Sequence, residues 1–432
     1  MKFSWIPCLL GLIAVGACND KPDVPSVIGA DHKHIDAAPT SVSMAKAKEL
    51  GMPLSVEDIA AARAGKTDEA GAMYRKLVDL SDSEPARVLE RYLKGQATDS
   101  EADRALTDLA PRFGAIEAAA AAASFAPQRD FALGMQVVYT EYEPMQRACI
   151  ALVARGLRKA EKRDAAKAAA DFEKAAAIIS QAASEDLSMS EYLTTVLTDH
   201  WWRGAIGALE TDRSMGGTLA AIAAEIPRVE AKKGVGTDLA LIRATIARIK
   251  SGTVTYSKVA GLSSPAMIDG KSMDDILMEN IDKAEDYATA FVVAAYENWA
   301  DRTKVMGLLH QAEHASTEES PQTTALHAFE ALAMAFTSPL KNGEALSRAE
   351  IDCLRIAVAA RELADSGKTP TLTEAAKIAG VDETDPFGDK PYVLKTTGGK
   401  VVVYSVGLDG EDNNGKPYVP GEMKGTDIVV SL

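Results

Sequence analysis

The stretch YVLKTTGGKVVVYS, residues 392–405, decides how the C-terminal part of the chain folds. Two runs of β-branched and aromatic residues, Tyr392–Lys395 and Val401–Ser405, flank the segment Thr396–Gly399. Runs of this composition favour strands, and adjacent glycines supply the positive φ angles that a tight turn needs. The stretch therefore predicts a β-hairpin.

A long loop without apolar periodicity follows the hairpin, from Val406 to Thr426. Loops of this length are usually either functional or disordered. The carboxylates of Asp409, Asp412 and Asp427 lie in or beside it and repel one another unless water or a cation neutralises them. Calcium suits such a loop because it takes about six to eight oxygen ligands in irregular geometry. The alternative is a solvated acidic loop without an ion.

The segments around the hairpin occur in a specific order: DPFG at 385–388, YSVGLDG at 404–410 and DI at 427–428. An amphipathic helical pattern, Arg348–Ala364, precedes them. This order resembles the C-terminal end of the major pseudopilin of type II secretion. The resemblance implies that residues 344–432 form a small α+β module.

The same resemblance implies a calcium site. It places structural calcium on Asp409 and Asp427, with Asp412 as a further ligand. The chain has no prepilin motif or long hydrophobic helix, so we do not expect a pilus subunit. It also looks like a group of uncharacterised helical envelope proteins with the same ending. By analogy, we expect a non-enzymatic role in interaction or assembly at the envelope, with secretion-assembly or other envelope proteins as partners.

The N-terminus carries a second motif. Lys2 precedes the apolar stretch Trp5–Val15, which is too short for a stable membrane span, and VGAC follows at 15–18. This pattern resembles the lipobox of bacterial lipoproteins, which implies removal of residues 1–17 and lipidation of Cys18. We expect a lipid-anchored protein of the bacterial envelope, at the periplasmic face of the outer membrane. The alternative is an ordinary cleaved signal peptide with a coincidental cysteine.

Composition indicates a folded, acidic protein. Of its 432 residues, 47% are hydrophobic and 25% are charged, and the formal net charge is −15. Such a surface disfavours nucleic acid and anionic lipid headgroups as partners. Proline-containing polar residues at 18–40 predict a flexible tether. Outside the N-terminal segment, Cys149 and Cys353 are the remaining cysteines, and the sequence leaves open whether they pair.

Residues 41–343 show helical patterns throughout, so the predicted fold class is mainly α: a multi-helix domain followed by the α+β module. Helix starts are indicated at Ser55-x-x-Asp58 and Ser272-x-x-Asp275, where the hydroxyl can accept a backbone N–H three residues further on. The glycine-rich stretch 251–270 is the best candidate for an internal break between two helical halves.

One catalytic motif remains: HQAEH at 310–314 matches the His-x-x-Glu-His pattern of inverted zinc peptidases. On a helix, His310 and His314 share a face and could hold zinc while Glu313 takes a proton from bound water. Such peptidases resemble α/β sheets, whereas strand patterns here occur only in the C-terminal module. The alternative that we favour is an exposed polar helix end. The third zinc ligand would come from a later glutamate: Glu330, Glu344, Glu350 or Glu362.

Overall fold

The computed structural model describes residues 38–262, 264, 267–268, 270–317, 326–388, 390–417 and 425–432, without the side chains of residues 268 and 314–317. The chain is mainly α-helical and has a small three-stranded antiparallel sheet near its C-terminus, which confirms the predicted fold class. None of the helices in these ranges is long and apolar enough to cross a membrane.

The N-terminal half is built from short and medium helices, and the connection between residues 121 and 142 contains a short 3-10 helix, Phe131–Gln136. These helices are α1 (Thr40–Glu49), α2 (Val56–Arg63), α3 (Glu69–Arg75), α4 (Glu84–Leu93), α5 (Asp99–Leu109), α6 (Phe113–Ala121), α7 (Tyr142–Glu161), α8 (Ala165–Ala183), α9 (Ser188–Thr211) and α10 (Gly216–Glu225).

The C-terminal half combines longer helices with two small β-structures. Its elements are α11 (Ala231–Lys250), α12 (Tyr256–Val259), β1 (Met267–Ile268), β2 (Lys271–Ser272), α13 (Met273–Glu297), α14 (Arg302–Thr317), α15 (Ala328–Asp365), α16 (Leu372–Ala379), β3 (Val393–Thr397), β4 (Lys400–Ser405) and β5 (Ile428–Ser431).

Both predicted helix starts are confirmed. The hydroxyl of Ser55 accepts the backbone N–H of Asp58, and the Asp58 side chain accepts the N–H of Ser55 in return. The hydroxyl of Ser272 accepts the N–H of Asp275 at the start of α13. Each cap satisfies an N–H that the first helical turn leaves without an intrahelical partner.

The buried apolar side chains form two clusters that divide the chain in an unexpected way. The first core is built mainly from residues between Ile59 and Ile226 and between Ala345 and Leu432. The second core is built mainly from Val229 to Leu340. The second helical unit is therefore inserted between the first unit and the C-terminal module. The glycine-rich stretch 251–270 belongs to this second unit, because Val254 and Val259 lie in its core.

Helix α15 joins the two cores. It runs for 38 residues, continues through Pro339 and contains the predicted domain boundary at residues 343–344. A Cβ atom on Gly343 would lie 2.8 Å from the hydroxyl of Thr195, so a glycine is needed where α9 and α15 approach each other. The C-terminal half of α15 then carries the module, since Cys353 and Val403 belong to one core.

The predicted hairpin is confirmed. Strands β3 and β4 pair in antiparallel register from Val393 opposite Tyr404 to Thr397 opposite Lys400. Gly398 and Gly399 have φ angles of 58° and 79°, as a two-residue hairpin turn of this kind requires. Strand β5 then pairs with β4, so the sheet order is β3-β4-β5.

The two cysteines outside the N-terminal segment do not pair with each other. Cys149 in α7 and Cys353 in α15 are both buried free thiols. Burial raises the pKa of each thiol above its ordinary value. Both cysteines are therefore inert apolar side chains of the first core.

Candidate functional site in the C-terminal loop

The carboxylate of Asp385 holds the base of the loop. Its Oδ1 atom accepts the N–H of Phe387 and the hydroxyl of Ser405, both at 2.9 Å. Its Oδ2 atom accepts the N–H of Val406 at 2.8 Å. Burial raises the pKa of Asp385, while these three hydrogen bonds act in the opposite direction. The DPFG segment therefore fixes the point at which β4 ends and the loop begins.

Phe387 attaches this segment to the second helical unit. The guanidinium of Arg302, at the start of α14, lies 5.4 Å from the centre of the Phe387 ring, within the range of a cation–π contact. The same guanidinium donates to the amide oxygen of Asn342 at 3.1 Å. The DPFG segment thus contacts both the sheet and the helical insertion.

Asp427 is the buried acidic residue of the loop, with a side chain fully excluded from solvent. Its Oδ2 atom accepts the N–H of Gly415 at 2.6 Å, and its Oδ1 atom accepts the N–H of Asn413 at 3.2 Å. Burial raises the pKa of Asp427, and the hydrogen bonds from Gly415 and Asn413 partly offset that effect. This carboxylate therefore draws the loop against the start of β5.

Asp409 closes the loop from the opposite side. Its Oδ1 atom accepts the N–H of Glu411 at 3.0 Å, and its Oδ2 atom accepts the N–H of Gly425 at 2.7 Å. The side-chain amide of Asn413 donates to Oδ2 of Asp409 at 3.3 Å and approaches Oδ1 of Asp427 at 3.5 Å. The structure thus brings Asp409 and Asp427 together at one amide.

Asp412, the third predicted ligand, contacts groups other than Asn413. Its Oδ1 atom accepts the N–H of Asn414 at 2.8 Å and the hydroxyl of Tyr404 at 3.0 Å. The hydrogen bond from Asn414 is the main reason why the pKa of Asp412 is lowered. The ring of Tyr404 also lies under the Lys395 ammonium, at 4.9 Å. The Asp412 carboxylate therefore connects the loop to the sheet, although its charge raises the pKa of Asp427.

Asn413 is a central residue of this loop that the sequence did not reveal. Among the described residues, its amide is the group that contacts both Asp409 and Asp427. A sequence signal existed, because polar oxygen-bearing side chains alternate at Asp409, Glu411 and Asn413.

The described residues contain no group of three or more His, Cys, Asp or Glu side chains arranged as a metal site. The segment 418–424 of this same loop lies outside the described residues. The two carboxylates that meet at Asn413 are therefore part of a loop that the structure describes at residues 406–417 and 425–426. The predicted lipidation site, Cys18, also lies outside the described residues.

The zinc motif lies near the C-terminal end of α14. The side chains of His310 and Glu313 are exposed, and the side chain of His314 lies outside the described residues. This position agrees with an exposed polar helix end.

The glutamates that could complete a zinc site are separated from one another. Glu330 pairs with the buried His327. Glu344 accepts the Trp299 indole N–H and the Lys341 ammonium at 3.0 and 2.9 Å. The remaining two candidates on α15 are the buried Glu350 and the exposed Glu362.

Comparison with known proteins adds no family to this description. No family model, curated protein or solved structure matches the chain.

Proposed function

We propose that this chain is a lipid-anchored protein of the bacterial envelope whose C-terminal loop is closed by structural calcium, and that it acts in interaction or assembly. The observation that carries the calcium proposal is the convergence of Asp409 and Asp427 on the amide of Asn413. Two carboxylates this close repel each other unless a positive charge or hydrogen bonds neutralise them.

The oxygen atoms that this loop offers as metal ligands are of the kind that calcium binds. A carboxylate offers roughly four lone-pair positions. Among the described residues, Asp409 and Asp427 each accept three contacts, and all of these come from N–H groups. Each carboxylate therefore retains capacity for a cation. Calcium takes carboxylate and carbonyl oxygens together and tolerates irregular geometry, which suits an aperiodic loop.

Asp409 and Asp427 would hold the ion, and Asp412 would add charge from the sheet side. A bound divalent cation supplies the positive charge that the paired carboxylates lack. The residues themselves supply the closure: Asp427 holds Gly415, while Asp409 holds Gly425. These contacts join the two sides of the segment 418–424. A loop closed in this way presents one defined surface to a partner.

The lipid anchor rests on the VGAC motif ending at Cys18. Several acyl chains on one cysteine hold a protein at a membrane stably, whereas a single chain does so only marginally. Residues 18–40 would separate the folded part from the bilayer. A Cys18→Ser variant should leave the membrane fraction and lose incorporation of a labelled fatty acid. Retention of the variant in that fraction would contradict the anchor.

The calcium proposal is tested by the melting temperature of residues 19–432 in EDTA and across a calcium titration, with magnesium and zinc in parallel. Because calcium would bind only the closed loop, its stabilisation should grow with concentration, to about 2.7 kcal/mol at a hundredfold excess over Kd. Asp409→Asn and Asp427→Asn should abolish this increment even where they also lower the baseline melting temperature.

Glu411→Gln is the matched control. Glu411 is an exposed carboxylate of the same loop, and its contact with Asp409 is made by the backbone N–H, which the substitution keeps. This variant should keep the calcium response. A flat titration, or an equal response in all three variants, would reject the site. A response to zinc alone would instead favour a zinc site at His310 and His314.

A further inference from the structure

A cleft of about 180 Å³ opens where the end of α2, the start of α9 and the faces of α11 and α13 meet. It lies at the seam between the two cores. Ile59 and Leu187 on its walls belong to the first core, while Tyr296 packs against the second. None of its described lining residues belongs to the C-terminal loop, so a ligand in this cleft is independent of the calcium proposal.

The described lining of the cleft is richer in cations than in carboxylates, whereas the chain as a whole is acidic. Its described lining includes the cations Arg63, Lys66 and Lys233 and a single carboxylate, Asp186. The chain as a whole has 47 basic and 62 acidic residues. A concave site of one charge sign concentrates ligands of the other sign. This contrast indicates an anionic ligand.

Arg63 is the fixed member of the three cations. Its Nη2 atom donates to the carbonyl oxygen of Pro127 at 3.0 Å and pairs with the buried carboxylate of Glu185. The side chain is only 11% exposed. The recorded polar contacts all use Nη2, so Nε and Nη1 keep N–H donors for a ligand or water. A held guanidinium offers these donors at little entropic cost.

The two lysines are the adjustable members. Lys233 lies 2.6 Å from Glu230 and 3.5 Å from Asp186, and all three side chains are more than half exposed. Pairs this exposed are weak, so Lys233 can exchange a partner for a ligand. Lys66 is exposed and has no carboxylate within 4.0 Å among residues that the structure describes. Both ammonium groups are therefore available.

The remaining wall of the cleft is apolar and aromatic. Tyr296 lies close to α11, because a Cβ atom on Gly236 would be 3.0 Å from its ring. The Lys232 ammonium lies 4.5 Å from the same ring centre. Pro53 and Leu187 complete the apolar surface. A cavity of about 150 Å³ can hold a benzene-sized molecule, so this cleft has room for a small organic body.

We infer that this cleft binds a small organic anion: its carboxylate or phosphate group contacts Arg63, Lys66 and Lys233, and its apolar body packs against Tyr296 and Leu187. Carboxylate and phosphate share the required chemistry, since both accept charge-assisted hydrogen bonds from guanidinium and ammonium groups. The apolar wall favours organic anions over inorganic ions, because an inorganic ion has no apolar surface to bury against it.

The test is isothermal titration of the full chain with benzoate and with phenyl phosphate, alongside benzyl alcohol as a neutral molecule of similar shape. We expect saturable binding of at least one anion and none of the alcohol. Lys66→Ala and Lys233→Ala should each weaken that binding by about tenfold, because each removes one charge-assisted contact. The tighter of the two anions identifies the head group.

Lys167→Ala is the matched control, because this exposed lysine lies outside the cleft lining and pairs with Asp164 at the start of α8. It should bind the anion as the unmodified chain does. The inference is overturned by absence of saturable binding for both anions, by equal binding of benzyl alcohol, or by unchanged affinity in the Lys66→Ala, Lys233→Ala double variant. Melting temperatures of the variants establish that each one is folded.

Discussion

The hydroxyl of Ser405 donates to the carboxylate of Asp385 across 2.9 Å, inside the C-terminal core. Asp385 is 2% exposed and Ser405 is fully buried. The contact ties the segment before the hairpin to the last residue of β4, so the DPFG segment acts as a brace for the sheet. This contact is therefore structural, and its contribution can be measured as the free energy of unfolding.

Replacing Asp385 with alanine should destabilise the chain by about 3 kcal/mol. The substitution leaves the N–H groups of Phe387 and Val406 and the Ser405 hydroxyl without their acceptor, and a buried unsatisfied group costs about 1–3 kcal/mol. Urea unfolding followed by circular dichroism measures the change. Asp382→Ala is the control, because this exposed carboxylate accepts the nearby N–H of Thr384 and lies 3.8 Å from the guanidinium of Arg348, and exposed contacts of this kind contribute little to stability. Equal losses in the two variants would show that the brace is unimportant.

A glycine pair tests the packing of the first core. In Gly204→Ala the new methyl group would overlap the side chain of Val153 and lie 3.3 Å from the Phe172 ring. Overpacking of this kind costs about 1–3 kcal/mol. In Gly114→Ala, within α6, the methyl group meets no atom within 4 Å, so better helix propensity should stabilise by about 0.5–1 kcal/mol. Thermal unfolding shows whether each substitution raises or lowers the stability of the chain. Unchanged or increased stability of Gly204→Ala would contradict the close approach of α7 and α9.

Local features of the fold could be predicted from the sequence because their causes are local. Gly398 and Gly399 sit between two strand-forming runs, so the hairpin needs no distant information. Strand β5 was not predicted, because Ile428 finds its partner, Ser405, only across a long aperiodic loop. Pairing of this kind depends on how the loop folds and not on the composition of the strand.

The division into two cores could not be predicted either. Periodicity shows which face of a helix is apolar but not which other helix covers that face. The predicted boundary at residues 343–344 lies inside α15, which continues through Pro339 and Gly343, and the glycine permits the close contact with Thr195. In the candidate site, Asp409 and Asp427 came from a motif, whereas the role of Asn413 arises only when the loop closes.

A buried carboxyl group gives the stability of the chain a defined pH dependence. Burial raises the pKa of Asp238 from 3.8 to about 7, although the Ser188 hydroxyl donates to it at 2.6 Å. The folded chain therefore keeps a proton that the unfolded chain loses, so stability falls as pH rises from about 4 to about 7. The expected slope from this group is about 1.4 kcal/mol per pH unit. Asp238→Asn should remove this pH dependence and should be more stable than the unmodified chain above pH 7. Urea unfolding at a series of pH values measures both effects.

Ser188→Ala provides the control for Asp238. Loss of the hydroxyl removes the hydrogen bond that lowers the carboxyl pKa, so the decline in stability should extend to higher pH. Identical pH profiles for Ser188→Ala and the unmodified chain would show that the hydroxyl does not act on this carboxyl group.

The imidazole of His200 should produce a pH dependence of the opposite sign. Burial lowers its pKa from 6.5 to about 4, while the nearby carboxylates of Asp199 and Glu90 act in the opposite direction. The unfolded chain then binds a proton that the folded chain rejects, so stability falls as pH drops from about 6.5 to about 4. His200→Gln cannot take up this proton, so the unmodified chain should lose about 1.4 kcal/mol per pH unit relative to the variant across that window. Urea unfolding of both proteins between pH 7 and pH 4 measures this difference. Parallel profiles would mean that protonated His200 is tolerated beside Asp199 inside the fold.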